Sequence, residues 1–322
     1  RHLWTAGRRD VHVLLLQSGL GELPRTHFEI LRRLGVPSAV FAGDPAAAGS
    51  LLKNAALVVD GLYGIGLRGR LDGAPSALVE LMNASPAEKV GLDVPSGLGA
   101  GYRAGWPAVR ADVTITFEFP KLCLYTPAGR LLAGRIAVVP VGFPPDAAAE
   151  TPAGAVLADE SDLERLLPAP SPGDYKNIRG HVAVFAGSRG TTGAASLAAE
   201  AALRSGAGLV SLFADEDIYP VVAAGAGGIL VKPFPPGGEW SPDAHTAFLA
   251  GPGWGRTDEK RERLENLLRT RLPGVLDADG LFLLKRIMEN ALPDLRGRVL
   301  TPHPGEFAAL SGASKEDIAC DP

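Results

Sequence analysis

Cysteine is nearly missing from this sequence: Cys123 and Cys320 are the two in 322 residues. Two thiols cannot build a disulfide framework, which excludes a small stapled scaffold and suits a reducing compartment, the cytoplasm. Basic charge is not in excess either. The 32 Lys and Arg stand against 36 Asp and Glu, for a net charge of −4. The electrostatic footprint of a nucleic-acid binder is therefore missing, and no nucleic-acid partner is expected. No apolar run reaches the roughly 20 residues of a membrane-spanning helix, so no membrane partner is expected. A start methionine and a signal-peptide pattern are also missing from "RHLWTAGRRD", which reads as the end of a helix. On that reading the chain begins inside its first domain.

What is present is globular. Hydrophobic residues make up 46% and charged residues 21%, and 40 glycines and 27 prolines imply many turns. The length suits two domains better than one core.

Apolar, β-branched runs and helical patterns alternate along the chain. Strands are expected at 11–16, 56–60, 89–93, 112–117 and 135–139, with helices at 26–34 and 74–83. From 140 to 175 the composition turns rich in Pro, Ala and Gly around one amphipathic segment, "ESDLERLL" (160–167), and reads as an interdomain connection. Alternation then resumes. Strands are expected at 181–186, 208–213, 246–250, 274–278 and 298–301, with helices near 194–205 and 258–270. Such alternation predicts parallel sheets flanked by helices, an α/β fold in both halves.

Two carboxylates close apolar strands in the first half: Asp60 in "LVVDGLYGIGLRGRLDG" and Asp93 in "VGLDVPSGL". The carboxyl ends of strands in open α/β sheets form the ligand crevice. Asp60 and Asp93 suit a general acid/base and a cation ligand there, or else cap the turns that follow them. The loop Gly64–Ile65–Gly66–Leu67–Arg68–Gly69–Arg70 offers amides and two guanidinium groups to a phosphate, or is a solvated turn.

"VVDGLYGIGLRG", "GLDVPSGL" and "VRADVTITFEFPKLCL", in this order and spacing, resemble the NAD(P)H-hydrate epimerase domain. The resemblance implies a Rossmann-like fold that interconverts the two C6 epimers of hydrated NADH and NADPH. It implies that Asp60 and Ser96 hold a potassium ion, that Gly64 to Arg70 touch the hydrated dinucleotide, and that Asp93 is the catalytic acid/base. The family's N-terminal Asn/Gly-rich phosphate loop has no counterpart here, so part of that cradle is expected to be missing.

The second half opens with "YKNIRGHVAVFAGSRGTTGAASLAAEAALRSGAGLVSLF", followed by "LAGPGWGR", "VLDADGL" and "LTPHPGEFAAL". These resemble the ADP- or ATP-dependent NAD(P)H-hydrate dehydratase, a ribokinase-like α/β fold. The resemblance implies that Gly193, Ala194, Ala195, Gly253 and His303 line the pocket for the hydrate, with Asp277 and Asp279 as weaker candidates. ADP or ATP with magnesium is the implied cofactor. The family's Gly-x-Gly-Asp segment does not follow His303, so no general base for phosphoryl transfer is seen. Small residues at 193–195 equally suit tight helix–sheet packing, and His303 and Trp254 equally suit structural roles.

The expected domains are 1–148, epimerase-like, and 152–322, dehydratase-like. Both are expected to be incomplete and impaired in activity, in a homo-oligomer. A ribokinase-like kinase of a vitamin-precursor alcohol and a catalytically silent nucleotide-binding module are the other readings.

Overall fold

The computed structural model describes residues 2–17, 19–41, 45–144, 154–167, 171–235, 237–238 and 240–320, the side chains of Pro45, Glu316 and Cys320 excepted. The chain forms two compact units, Arg1–Ala158 with Glu316–Pro322, and Asp159–Lys315. The expected junction between 148 and 152 lies outside the described residues, as do 145–153 and 168–170 of the Pro-rich connection.

Among its described residues the first unit has six parallel strands in two sheets. β1 (Val13–Leu15) pairs with β2 (Ser38–Val40). β3 (Leu57–Asp60), β4 (Glu88–Leu92), β5 (Val113–Phe117) and β6 (Arg135–Val139) pair in that order. Leu14 and Leu16 pack on the same cluster as Val58, so the two sheets share a core. The helix Ala74–Ala84 turns Leu78, Val79 and Met82 into that cluster, on the one face that helical spacing allows. It stops at Ser85, whose hydroxyl donates to the Leu52 carbonyl at 2.6 Å.

The four-stranded sheet is covered unevenly. Val58 and Asp60 of β3 are buried, while Leu57 and Val59, on the opposite face, are 51% and 50% exposed. Among the described residues no strand pairs with the outer edge of β3.

The second unit is built on one six-stranded parallel sheet in the order β12-β11-β10-β7-β8-β9. These strands are β7 (His181–Phe185), β8 (Leu209–Ala214), β9 (Leu230–Pro233), β10 (Ala247–Ala250), β11 (Gly274–Leu276) and β12 (Arg298–Leu300). The chain runs outward from β7 through β8 to β9, then crosses to the other side of β7 and runs outward again. The order therefore reverses between β7 and β10, and the carboxyl ends of those two strands are where open α/β sheets place a ligand.

The helix Asp258–Arg269 shows why this sequence closes over the sheet. Thr257 caps it by accepting from the Lys260 amide, and Asp258 and Glu259 favour its positive N-terminus. Leu264, Leu267 and Leu268 then fall on one face and meet Phe185, Phe248 and Trp254 in the core. Trp254 is 1% exposed, so it is a packing aromatic.

Among the described residues, ten of the twelve strands overlap the expected positions. β2 and β9 do not, nor do the helices Pro45–Asn54, Leu122–Tyr125, Pro127–Ala133, Tyr219–Ala224, Asp279–Met288, Pro304–Ser311 and Lys315–Cys320.

Candidate functional site

In the first unit the candidate residues gather at the carboxyl edge of the β3–β6 sheet. Asp60 is the last residue of β3, and its neighbour in register is Gly91 of β4, two residues before Asp93. Asp60 and Ser96 meet directly. The Ser96 hydroxyl donates to Asp60 Oδ1 at 2.6 Å and the Ser96 amide to Oδ2 at 2.7 Å. The Leu62 amide adds a donor to Oδ1 at 3.2 Å, and the Tyr63 amide donates to Ser96 Oγ at 2.9 Å. Burial pushes the Asp60 carboxyl above its ordinary range, and the bonds from Ser96 and Leu62 oppose that shift. Asp60 makes no ion pair with a cationic side chain among the described residues.

Asp93 belongs to a second, adjacent constellation. Its φ is +71°, a left-handed conformation that is uncommon for any residue but glycine and is tolerated by Asp. Its amide is fixed to the Ile115 carbonyl of β5 at 2.7 Å. The Lys121 ammonium lies 2.8 Å from Oδ1, with both side chains 18% exposed. Oδ2 faces the glycine loop: a Cβ built on Gly64 would come within 3.2 Å of it. A glycine at 64 therefore lets the loop approach the carboxylate. Ile65, Gly66, Arg68, Gly69 and Arg70 are exposed, Leu67 is half-buried, and Arg70 leans on Asp72 at 3.5 Å.

Lys121 is the residue that the sequence reading missed. Its signal is positional: a lysine four residues beyond the end of β5, on the same sheet edge as Asp93. Cys123, two residues on, is a half-buried thiol that burial pushes up from 9.0.

In the second unit the candidates surround the switch point. The loop after β7 and the loop after β10 are tied together. The Gly187 amide donates to the Pro252 carbonyl at 2.9 Å, and the Thr191 hydroxyl donates to the Gly253 carbonyl at 2.7 Å. Gly253 has φ +59°, and a Cβ there would fall 2.8 Å from Thr191 Cβ and 3.1 Å from Ala194 Cβ. Gly253 and Ala194 are thus neighbours. Gly193 is exposed at the start of the helix Thr192–Arg204 and Ala194 is half-buried, whereas Ala195 is fully buried in the core. The Ala195 side chain packs with Ala199 and Val210 and faces Gly187 of the loop after β7.

His303 follows β12 and caps the helix Pro304–Ser311. Its Nδ1 accepts from the Gly305 amide at 3.0 Å, and its amide donates to Glu306 Oε2 at 2.9 Å. An accepting Nδ1 places the proton of the neutral ring on Nε2, which lies 3.3 Å from Glu306 Oε1. His303 lines a cavity of about 310 Å³ with Arg256, Ala278, Phe282, Lys285 and Glu306. Asp279 joins this cavity to the Gly253 loop: it accepts from the Gly255 amide at 2.8 Å and from Arg256 Nε at 2.6 Å. Asp277 instead accepts from the Thr301 hydroxyl at 3.0 Å.

These are two α/β units, each with its polar residues at the carboxyl ends of parallel strands, the arrangement of enzymes that act on nucleotides and related small molecules. Residues 1–123 match the family described as YjeF-related protein N-terminus, and residues 182–319 match NAD(P)H-hydrate dehydratase. The two matches stand one after the other, and the chain is similar along its length to bifunctional NAD(P)H-hydrate repair enzymes. It is similar to the "Bifunctional NAD(P)H-hydrate repair enzyme Nnr" of Moorella thermoacetica, with 34% identity over 339 residues, 100% of this chain and 64% of that protein. Proteins of the same name in Salinibacter ruber and Coxiella burnetii are 36% and 35% identical, over 97% and 84% of this chain and 63% and 55% of their own. The chain thus spans a little over half to nearly two thirds of the length of these relatives. Among solved structures, an ADP/ATP-dependent NAD(P)H-hydrate dehydratase from Bacillus subtilis, co-crystallized with ATP/Mg2+, is 26% identical. That likeness has a TM-score of 0.42 and covers 48% of this chain and 55% of that one.

Proposed function

We propose that the first unit epimerises hydrated NADH and NADPH at the hydrated ring carbon, and that the second dehydrates one epimer in a nucleotide-dependent reaction. The first domain would be residues 1–148 and the second 152–322. The observation that carries the reading is Asp93, a carboxylate in a left-handed backbone, with one oxygen turned to the Gly64–Arg70 loop.

Epimerisation at a carbon bearing both a hydroxyl and the ring nitrogen needs little beyond proton transfer. The nitrogen lone pair expels the hydroxyl, which takes a proton and leaves as water. Water returns to the other face and gives a proton back. Asp93 Oδ2 is the group that would give and take that proton. The exposed Arg68 and Arg70 would meet the phosphates.

Asp60 and Ser96, with the Tyr63 carbonyl 3.3 Å from Ser96 Oγ, form an all-oxygen set around a buried carboxylate without a cationic partner among the described residues. Hard oxygen donors and an unbalanced charge suit a monovalent cation, and these residues would hold potassium. It would supply a fixed positive charge beside the substrate. In the second unit, Gly193, Ala194, Gly253 and His303 would border the hydrate, and ADP or ATP with magnesium would be the co-substrate. A cytoplasmic homo-oligomer without nucleic-acid or membrane partners completes the reading. No helix among the described residues is long and apolar enough to cross a membrane.

The test is Asp93→Asn in this chain, with the two hydrate epimers separated by chromatography. Loss of a positioned acid/base is expected to slow interconversion by roughly 10²–10⁴-fold while hydrate binding persists. Interconversion at the wild-type rate would overturn the assignment.

A further inference from the structure

We infer that Lys121 is the positioning residue of the Asp93 carboxylate: it engages Oδ1 and leaves Oδ2 as the single oxygen turned to the bound substrate. The inference deepens the epimerase reading and rests on it.

A carboxylate on a free side chain offers two equivalent oxygens and rotates between them. Here the equivalence is broken. Oδ1 lies 2.8 Å from the Lys121 ammonium, and Oδ2 faces the Gly64 backbone. Both partners of the ion pair are held from behind. Lys121 Nζ also donates to the Phe117 carbonyl at the end of β5. Asp93 is pinned through its amide to Ile115, two residues earlier on the same strand. The pair is therefore anchored twice to β5 and has little freedom to swing. Its two side chains are 18% exposed, so water screens the attraction less than at a surface pair.

The other cations of this edge do not compete for the role. Arg68 and Arg70 are exposed, and Arg70 pairs with Asp72. Lys121 is the ion-pair partner of Asp93 among the described residues. Cys123 is the nearby nucleophile, and burial keeps it in the unreactive thiol form.

A group that both accepts and returns a proton needs one oxygen at a fixed distance from the reacting atom. Lysine suits this better than a neutral donor, because it also balances the carboxylate charge in a site of limited water access. Lys121 itself need not touch the substrate.

The experiment compares the chain with Lys121→Met, Lys121→Arg and Asp93→Asn. It measures epimer interconversion, hydrate binding by titration and thermal unfolding, and it determines crystal structures of the wild-type and Lys121→Met proteins. Lys121→Met is expected to lower kcat by about tenfold or more with hydrate affinity within about twofold, because the interaction acts on the transition state. Lys121→Arg is expected to recover most of the loss. In crystals, the Asp93 carboxylate of Lys121→Met is expected to leave its wild-type orientation. Wild-type kcat in Lys121→Met would overturn the inference. So would equal losses in the Met and Arg variants that track a lowered melting temperature. If Asp93→Asn retains the wild-type rate, or the wild-type chain does not interconvert the epimers, the epimerase reading fails. The carboxylate orientation then decides the inference by itself, supporting it if changed and overturning it if unchanged.

Discussion

Ser96 grips the buried carboxylate of Asp60 with two donors, its hydroxyl at 2.6 Å and its own amide at 2.7 Å, across 36 residues of chain. The contact ties the end of β3 to the loop after β4. It also satisfies both oxygens of a side chain that is 1% exposed. Ser96→Ala removes the hydroxyl and leaves a buried charged oxygen short of a donor. The expected cost is about 1.5–3 kcal/mol, the range for a hydrogen bond to a charged group. The sign of its pH dependence follows from burial, which raises the Asp60 pKa from 3.8 in the folded state. A raised carboxyl pKa means that stability falls as pH climbs from the unfolded value through the folded one. Ser96→Ala weakens the ionised form further, so its deficit should grow over that same interval. Urea unfolding of both proteins across pH measures this. A deficit that shrinks as pH rises would contradict it.

Gly253 and Gly190 separate two effects that usually arrive together. Both have positive φ, +59° and +90°, but a Cβ on Gly190 meets open space while one on Gly253 meets Thr191 and Ala194. Gly190→Ala should show the backbone cost alone, about 1 kcal/mol. Gly253→Ala should cost about 1–3 kcal/mol more, because it forces apart the two loops at the switch point. Thermal unfolding of the two variants checks the ordering, and equal losses would mean that the loops are not held at this contact.

Lys260 and Asp215 form an asymmetric pair at 2.6 Å. The lysine side chain is 8% exposed and the aspartate 30%. Lys260 also donates to the Trp254 carbonyl, which fixes the loop carrying Gly253. Removing either partner strands the other, but the consequences differ. Asp215→Ala leaves a buried ammonium and should cost on the order of 3 kcal/mol. Lys260→Met leaves a partly hydrated carboxylate and an apolar side chain of similar length, and should cost less. The double variant should recover part of the Asp215→Ala loss. Urea unfolding of the four proteins checks the order, and a larger loss for Lys260→Met than for Asp215→Ala would refute it.

The α/β character was legible in the sequence because parallel strands covered on both faces leave near-continuous apolar runs, as at 181–185 and 209–214. β2 and β9 were not legible. β2 is three residues long, and β9 runs into Pro233 with a charged Lys232 inside it, so both lack such a run. The helix Asp279–Met288 was not expected: it follows directly on the strand expected at 274–278, and its apolar face becomes plain only where it packs. In the first site, Asp60 and Ser96 were legible as strand-end and loop residues, and their contact followed. Lys121 was not, since one lysine after a strand looks like any solvated charge until the fold places it beside Asp93. His303 shows the opposite limit. "TPHPGE" reads as a ligand contact by resemblance, and the geometry adds a cap that spacing alone did not predict.

His181 and His245 lie ring against ring, tilted by 41° with centroids 4.4 Å apart, and the pair is expected to contribute to the acid sensitivity of the second unit. His181 Nε2 bonds the Ser211 hydroxyl at 2.8 Å. His245 is buried, and its Nε2 has no hydrogen-bond partner among the described residues. Lys232 on β9 adds repulsion to both rings. Burial first, and then these cationic neighbours, hold both imidazoles below the ordinary value of 6.5. The folded state therefore keeps them neutral while the unfolded chain takes up protons. Their contribution is fully present above pH 6.5 and is lost as pH falls through the lowered folded values. His245→Phe keeps a flat ring against Phe213 and Trp240, removes one titrating group and relieves His181 of a like charge. The variant should lose less stability than the wild type between neutral pH and pH 5.5 or so, a window below the ordinary imidazole pKa. Urea midpoints of both proteins across that window decide it. Parallel curves would mean that His245 titrates alike in the folded and unfolded states, and would move the source of any acid sensitivity to the carboxylates.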